Sequence, residues 1–321
     1  MTRRLTTGAC ILLILMMAAC TDSTNESGRK EKVIIFHAGS LSVPLKEMTE
    51  KYEEENPGIN IQLEADGSVA CARKITDLKK PCDIMASADF RVIDEMLIPD
   101  YTSWNIKFAS NSMVIAFNDK SFGAGEITRD NWYNMLLDDE AIYGRSDPDS
   151  DPCGYRTVMT CKLAEKFYNK PGISDELVAK NRNMIRPKGV ELLALLETNA
   201  VDYIFLYKSV SQQHNLKYID LPDEINLSEP GMENLYQSVS VDILGKSPGE
   251  KMTLTGSTMV YGVTLLKDAP NREQAIDFLK FMLGGAGMSI IESNGQKLIS
   301  PPETAKLDLL PEMLRSVCSE E

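Results

Sequence analysis

The sequence predicts an α/β fold, with helices packed on the faces of its sheets and a chain long enough for two domains. Three observations carry this expectation. Short apolar runs alternate with stretches of helical periodicity, the pattern of a parallel sheet with helical crossovers. The runs end at glycine or at turn formers such as Asn56-Pro57-Gly58. The 321 residues are 43% hydrophobic and 25% charged, which suffices for two real cores.

KVIIFHAG at 32–39 is a short apolar run ending in glycine and reads as a buried strand. The following stretch, SVPLKEMTEKYEEE, places Leu45, Met48 and Tyr52 at helical spacing until Asn56-Pro57-Gly58 stops it. INIQLEADG is a second strand and SVACARKITDLKK a second helix; CDIMASAD and FRVIDEMLI repeat the pair. NSMVIAFND at 111–119 is another strand, NWYNMLLDDE a helix, and VELLALLETNA (190–200) and VDYIFLYKSV (201–210) are further ordered stretches. MVYGVTLLKD (259–268) reads as a strand, and NREQAIDFLKFMLGGAGMSIIES as a helix broken at Gly284-Gly285. No internal repeat is present.

At the N-terminus, Arg3 and Arg4 precede an apolar run from about Ala9 to Ala19. That run is too short to span a bilayer, which takes ~20 apolar residues. Its charge pattern is that of a secretory signal. Met17-Ala18-Ala19-Cys20 resembles a lipoprotein box, after which Cys20 would be the lipidated first residue. Residues 1–20 are thus expected to be a lipoprotein signal peptide, and 21–31, TDSTNESGRKE, a flexible tether. The expected location is extracytoplasmic, on a membrane surface. The net charge of −13 argues against nucleic acid, since nothing neutralises phosphates in bulk. Five cysteines follow Cys20, an odd number, with Cys71 and Cys82 the expected bridge if one forms. Without a C-x-x-C pair, a structural zinc site is not expected.

Ligands of open α/β sheets sit at the carboxyl ends of strands. Two such ends share one design, FHAG-Ser40 and EADG-Ser68. Glycine permits close approach of backbone. Serine either caps the next helix or offers its hydroxyl to an anion at the positive helix end. A third candidate is SDPDSDPCGYR at 146–156. Asp147, Asp149 and Asp151 match the first half of a calcium loop, but its glycine and glutamate positions hold Pro152 and Val158. The calcium loop therefore fails. Asp147 and Asp149 are expected in water, and Asp151, ahead of Pro152, as the N-cap of a helix.

HAGS at 37–40, ADGS at 65–68, DPCGYR at 151–156, YKSVSQQH at 207–214 and the stretch 256–282 resemble the tungstate/molybdate-binding proteins of ABC importers. The similarity is to the ModA/WtpA branch found widely in archaea, and spans nearly all of the mature chain. The resemblance implies a two-lobed periplasmic-binding-protein fold of type II, each lobe a mixed sheet flanked by helices, with the ligand cleft between lobes. It implies one lobe from 32–112 plus 268–321 and the other from 113–267. It implies oxyanion binding by Gly39, Ser40, Ser68, Asp151, Pro152, Cys153 and Tyr207, no cofactor, a monomer, and partnership with a permease and its ATPase.

A bare carboxylate facing a dianion at ~4 Å would cost ~8 kcal/mol at an effective dielectric near 20. In this family the carboxylate oxygens approach the metal atom itself, so the resemblance implies Asp151 as a ligand to molybdenum or tungsten. Relatives carry a second carboxylate, a glutamate, where this chain has Gly189, and a longer insertion before it. Glu191 lies about 200° around a helix from the required face.

Other functions leave weaker marks. Gly245-Lys246-Ser247-Pro248-Gly249 fits G-x-S-x-G, yet Pro248 has no N–H for an oxyanion hole. The two histidines, His37 and His214, read as a packed strand-end residue and a surface residue. Sulfate, phosphate and ferric ion remain alternative ligands, and a surface adhesin or sensor an alternative role.

Overall fold

The computed structural model describes residues 30–245 and 249–321. The expected signal peptide with Cys20, nearly all of the tether, and the centre of the Gly245–Gly249 match lie outside the described residues. The strands in chain order are β1 (Glu31–Ala38), β2 (Ile59–Asp66), β3 (Ile84–Ser87), β4 (Ile106–Ser110), β5 (Met113–Phe117), β6 (Tyr143–Ser146) and β7 (Ile185–Arg186). They continue with β8 (Tyr203–Tyr207), β9 (Lys217–Asp220), β10 (Ser240–Leu244), β11 (Lys251–Thr255), β12 (Val260–Leu265), β13 (Lys297–Thr304) and β14 (Ser319–Glu320).

Two mixed sheets result. The first runs β14-β13-β4-β12-β3-β1-β2 and the second β7-β6-β8-β5-β9. β1 pairs parallel with both β2 and β3, as successive strand–helix units require. β12 enters antiparallel between β3 and β4. In the second sheet β5 pairs antiparallel with β8 and β9, while β6 runs parallel to β8. β10 and β11 form a separate antiparallel hairpin.

The chain passes from the first sheet to the second at Asn111-Ser112, between β4 and β5. It returns between β11 and β12, at residues 256–259. The expected boundary at residue 267 is therefore too late, because residues 260–265 belong to the first sheet. The reason is burial: Tyr261 and Val263 on one face and Thr264 on the other are wholly inaccessible, a demand met only inside a sheet covered on both sides.

Helix α1 (Ser42–Glu55) buries Leu45, Met48 and Tyr52 on one stripe, and Tyr52 meets Phe278 edge-on with centroids 5.2 Å apart. Helices α2 (Ser68–Thr76), α3 (Phe90–Met96), α4 (Trp132–Leu137) and α5 (Pro152–Phe167) follow. The late helix does break at Gly284, into Arg272–Leu283 and Gly285–Ser293. Cys71 and Cys82 do not form the expected bridge: all five cysteines of the described residues are free thiols. The thiol of Cys71 faces the His37 carbonyl, and that of Cys82 the Ile84 carbonyl.

Candidate functional site, a cavity between the lobes

The lobes meet along the carboxyl ends of β1, β2 and β3. After β1, residues Gly39–Leu41 make one 3-10 turn before α1. Neither of the two strand-end serines caps a helix. The cap positions beside them, Leu41 and Gly67, make no side-chain bond. The hydroxyl of Ser40 instead accepts the phenolic hydrogen of Tyr261 at 3.0 Å, and Ser68 accepts the Ala88 N–H at 3.0 Å.

The glycines at these ends serve the opposing lobe. A Cβ on Gly67 would fall 2.2 Å from the Ser150 carbonyl oxygen, and one on Gly39 would fall 2.9 Å from a Val190 methyl. The chains are so close here that the Ala70 N–H donates to the Ser150 carbonyl at 3.2 Å.

On the second lobe, Asp151 is the N-cap of α5, with Pro152 at the first helical position. One carboxylate oxygen accepts the Cys153 N–H at 3.2 Å and the other the Gly189 N–H at 2.7 Å. Asp151 is only 6% exposed, and burial raises its carboxyl from the ordinary 3.8 to about 6 despite those bonds. Gly154 allows α5 to start against the acidic loop, since a Cβ there would lie 2.5 Å from the Asp147 carbonyl carbon.

The rest of that loop is less solvated than the sequence suggests. Asp147 accepts the Asp149 N–H at 3.0 Å, and Asp149 accepts the Leu244 N–H at 2.8 Å. Arg73 of α2 donates to the Asp149 carbonyl at 3.1 Å and to Leu244 at 2.8 Å. Both aspartates are half-buried; Asp149 fastens the loop to the β10–β11 hairpin and to the first lobe, while Asp147 braces the loop internally.

Behind the loop lies a buried ionic group. Asp89, the N-cap of α3, lies 2.8 Å from Arg91 and 3.1 Å from Arg156, and accepts the Tyr155 hydroxyl at 2.7 Å. Asp89 and Arg91 come from the first lobe, Tyr155 and Arg156 from the second. Arg156 also donates to the Ala88 carbonyl at 2.8 Å and to the Tyr207 hydroxyl at 2.9 Å. The two guanidiniums hold the Asp89 carboxyl well below the usual carboxylate range although its burial works the other way.

Gly39, Ser40, Asp151, Cys153, Gly189, Val190, Leu206, Tyr207 and Val210 enclose a small cavity of about 10 Å³. The structure thus brings together five of the residues singled out in the sequence: Gly39 and Ser40 from the first lobe, Asp151, Cys153 and Tyr207 from the second. Ser68 and Pro152 are buried nearby but do not line it. Sequence reasoning missed the apolar wall of Val190, Leu206 and Val210, and the supporting roles of Arg156 and Tyr261. Arg156 stood in the quoted DPCGYR motif, so its position was signalled even though its partner was not. His37 is buried beside the Ala38 carbonyl, 2.9 Å from its Nδ1, and burial lowers it to about 4; His214 is exposed.

Such a cavity, with room for about one water, offers hydroxyls, a carboxylate and apolar contacts, and has no room for a sugar or a peptide. A family model described as "Bacterial extracellular solute-binding protein" matches residues 33–297. An uncharacterized solute-binding protein of Petrotoga mobilis is 44% identical, over 94% of this chain and 92% of its own. The molybdate/tungstate-binding protein WtpA of Thermococcus kodakarensis is 42% identical, over 92% of this chain and 91% of its own. Among solved structures, the periplasmic molybdate-binding protein of Azotobacter vinelandii superposes with a TM-score of 0.60 at 15% identity, covering 83% of this chain and 99% of that one. This last likeness establishes the fold, the two-lobed periplasmic-binding type II architecture.

Proposed function

Because this chain belongs to the bacterial extracellular solute-binding protein family, we propose that it captures a tetrahedral oxyanion outside the cytoplasm and delivers it to the permease and ATPase of an ABC importer. Molybdate and tungstate are the ligands assigned. The observation that carries this reading is that Ser40 and Asp151, from opposite lobes, line one small cavity. The identity to the Thermococcus protein supports the choice of ligand. Ferric ion fits less well, since the lining includes one tyrosine and no histidine.

Asp151 acts at the metal atom of the bound oxyanion, where its negative charge is attracted to a hard, high-valent centre. With Gly189 at the position of the family's glutamate, Asp151 is the single carboxylate in the lining. Capture needs no bond to be made or broken, so the role is binding. Cys20 tethers the monomeric protein to the membrane through lipid, within reach of the permease.

Isothermal titration of the purified mature chain with molybdate, tungstate, sulfate and phosphate tests the reading. Saturable one-to-one binding of molybdate or tungstate, tighter than sulfate and phosphate, is expected. Preference for phosphate, or no binding of any of the four, would overturn it.

A further inference from the structure

The residues that line the cavity are shut away from solvent: Ser40 and Asp151 are each 6% exposed, Cys153 and Tyr207 each 3%. An ion therefore enters or leaves only when the lobes part, and the bonds that bridge the cleft must yield. Several of these reach main-chain carbonyls at its rim. Arg73 donates to Leu244 at 2.8 Å, Lys188 to Ala65 at 3.0 Å, and the Ala70 N–H to Ser150. One group is different, because it is charged on both sides of the seam and wholly buried.

Asp89 divides its two oxygens between the lobes. Oδ1 accepts the Arg91 backbone N–H at 3.0 Å and the Arg91 Nε–H at 3.2 Å, both within the first lobe. Oδ2 meets Arg91 at 2.8 Å and also faces the second lobe, where it accepts the Tyr155 hydroxyl at 2.7 Å and lies 3.1 Å from Arg156. Asp89, Tyr155 and Arg156 are all 0% exposed. When the lobes part, each charge keeps a partner on its own side: Asp89 keeps Arg91, and Arg156 keeps the Tyr207 hydroxyl at 2.9 Å. The group is also imperfectly satisfied while shut. Nε and Nη2 of Arg156 are buried without an aligned hydrogen-bond acceptor among the described residues, Nη2 making only the ionic contact with Asp89. Water reaching these donors would offset part of the cost of separating the charges. A seam meant to stay shut has no use for such fallback partners.

We propose that Asp89, Tyr155 and Arg156 form a releasable latch, which holds the lobes together through the chain's own charges and whose release opens the cavity. Arg156 also holds Tyr207, so the latch is joined to the cavity wall on the second lobe. The inference rests on the two-lobed architecture and not on which ion the cavity takes.

Cys153 supplies the probe, since its thiol lines the cavity, while Cys71 is buried inside the first lobe and Cys161 inside the second. Alkylation of Cys153 by iodoacetamide at neutral pH, read by mass spectrometry of its peptide, reports how often the cavity opens. Asp89→Asn keeps an N-cap for α3 but removes the charge, leaving two guanidiniums against a neutral amide. It is expected to speed Cys153 labelling by at least about tenfold, as the loss of one partner of a buried ion pair implies. Tyr155→Phe removes a single bond across the seam and should speed labelling severalfold. Arg156→Lys keeps a cation in place and should stay nearer the wild type than Arg156→Met. The latch is overturned if Asp89→Asn and Tyr155→Phe leave Cys153 labelling unchanged, or raise it only in step with that of Cys71 and Cys161, the sign of general loosening. Tungstate forms a separate arm. It should slow Cys153 labelling in the wild-type chain; if it does not, the oxyanion reading fails, while the comparison among variants still decides the latch.

Discussion

Asp151 reaches across its own lobe to Gly189, accepting that residue's N–H at 2.7 Å while it caps α5 through Cys153. The carboxylate is thus oriented on both sides before any ligand arrives. Asp151→Asn presents one oxygen where two acceptors are needed, and its amide hydrogens face an N–H. The variant is expected to lose about 1–3 kcal/mol of stability, the cost of a buried donor left unpaired. As a poorer oxygen donor to the metal, it should also bind molybdate and tungstate at least tenfold more weakly. Calorimetric titration at matched folded fraction checks both. Tighter binding, extending to sulfate, would mean that the charge only repels the anion.

Gly189→Glu adds the second carboxylate that the family resemblance implies for this position. A Cβ at this position would sit 3.4 Å from the Cys153 sulfur and from a Leu206 methyl, tight but short of a clash, and its φ is not positive. The variant should raise the preference for molybdate and tungstate over sulfate severalfold. An unchanged ratio would show that the new carboxylate does not reach the anion.

Gly67→Ala tests the approach of the lobes. The added methyl would collide with the Ser150 carbonyl of the other lobe, and φ at Gly67 is −62°, so the strain is purely steric. Oxyanion affinity should fall by tenfold or more while the melting temperature moves little. Small-angle scattering with ligand present should report a larger radius than for wild type, and an identical radius would sink the idea.

Two buried groups give opposite pH signatures. Burial raises the Asp151 carboxyl from 3.8 to about 6, so across that interval the folded chain holds more of a proton than the unfolded one. Its contribution to stability therefore grows as pH falls from about 6 toward 4. Burial lowers His37 from 6.5 to about 4, so there the unfolded chain holds the extra proton and stability is lost as pH falls through the same range. Relative to wild type, His37→Gln should flatten the acid loss between pH 6.5 and 4, and Asp151→Asn should steepen it between 6 and 4. Each effect should reach roughly 2–3 kcal/mol for a shift of about two units. Urea unfolding at a series of pH values measures both slopes.

The elements legible in the sequence were those with local causes. Apolar runs ending in glycine announced β1 and β2, the run CDIMASAD announced β3, and the stripe of Leu45, Met48 and Tyr52 announced α1. Asp151 before Pro152 announced the start of α5. What escaped depends on contacts distant along the chain. Val260–Leu265 reads as a strand, but nothing local tells which sheet it joins. Gly67 invites a ligand-side reading, whereas its neighbour is Ser150 of the other lobe. Ser40 and Ser68, at strand-to-helix turns, read as caps or as an anion cradle, and nothing local shows that Tyr261 and Ala88 engage their oxygens. Asp149 looks solvated until the Leu244 N–H is placed on it. Cys71 and Cys82 were the expected bridge, whereas each thiol is buried against a different backbone carbonyl.

The place of β12 also dictates an order of assembly. β3 and β4 follow one another in the chain but share no backbone bonds; β12 must be inserted between them to complete the first sheet. The second sheet, in contrast, closes entirely within residues 113–220. As the polypeptide emerges from synthesis or export, the second lobe can pair its strands while β4 still has no partner. Closing the first lobe requires a loop longer than the whole second sheet, with the slow search that non-local pairing entails. A chain stopped short of Val260 would carry a folded second lobe on an open sheet edge, an invitation to aggregation. Rapid completion of the chain from Val260 onward therefore protects the whole.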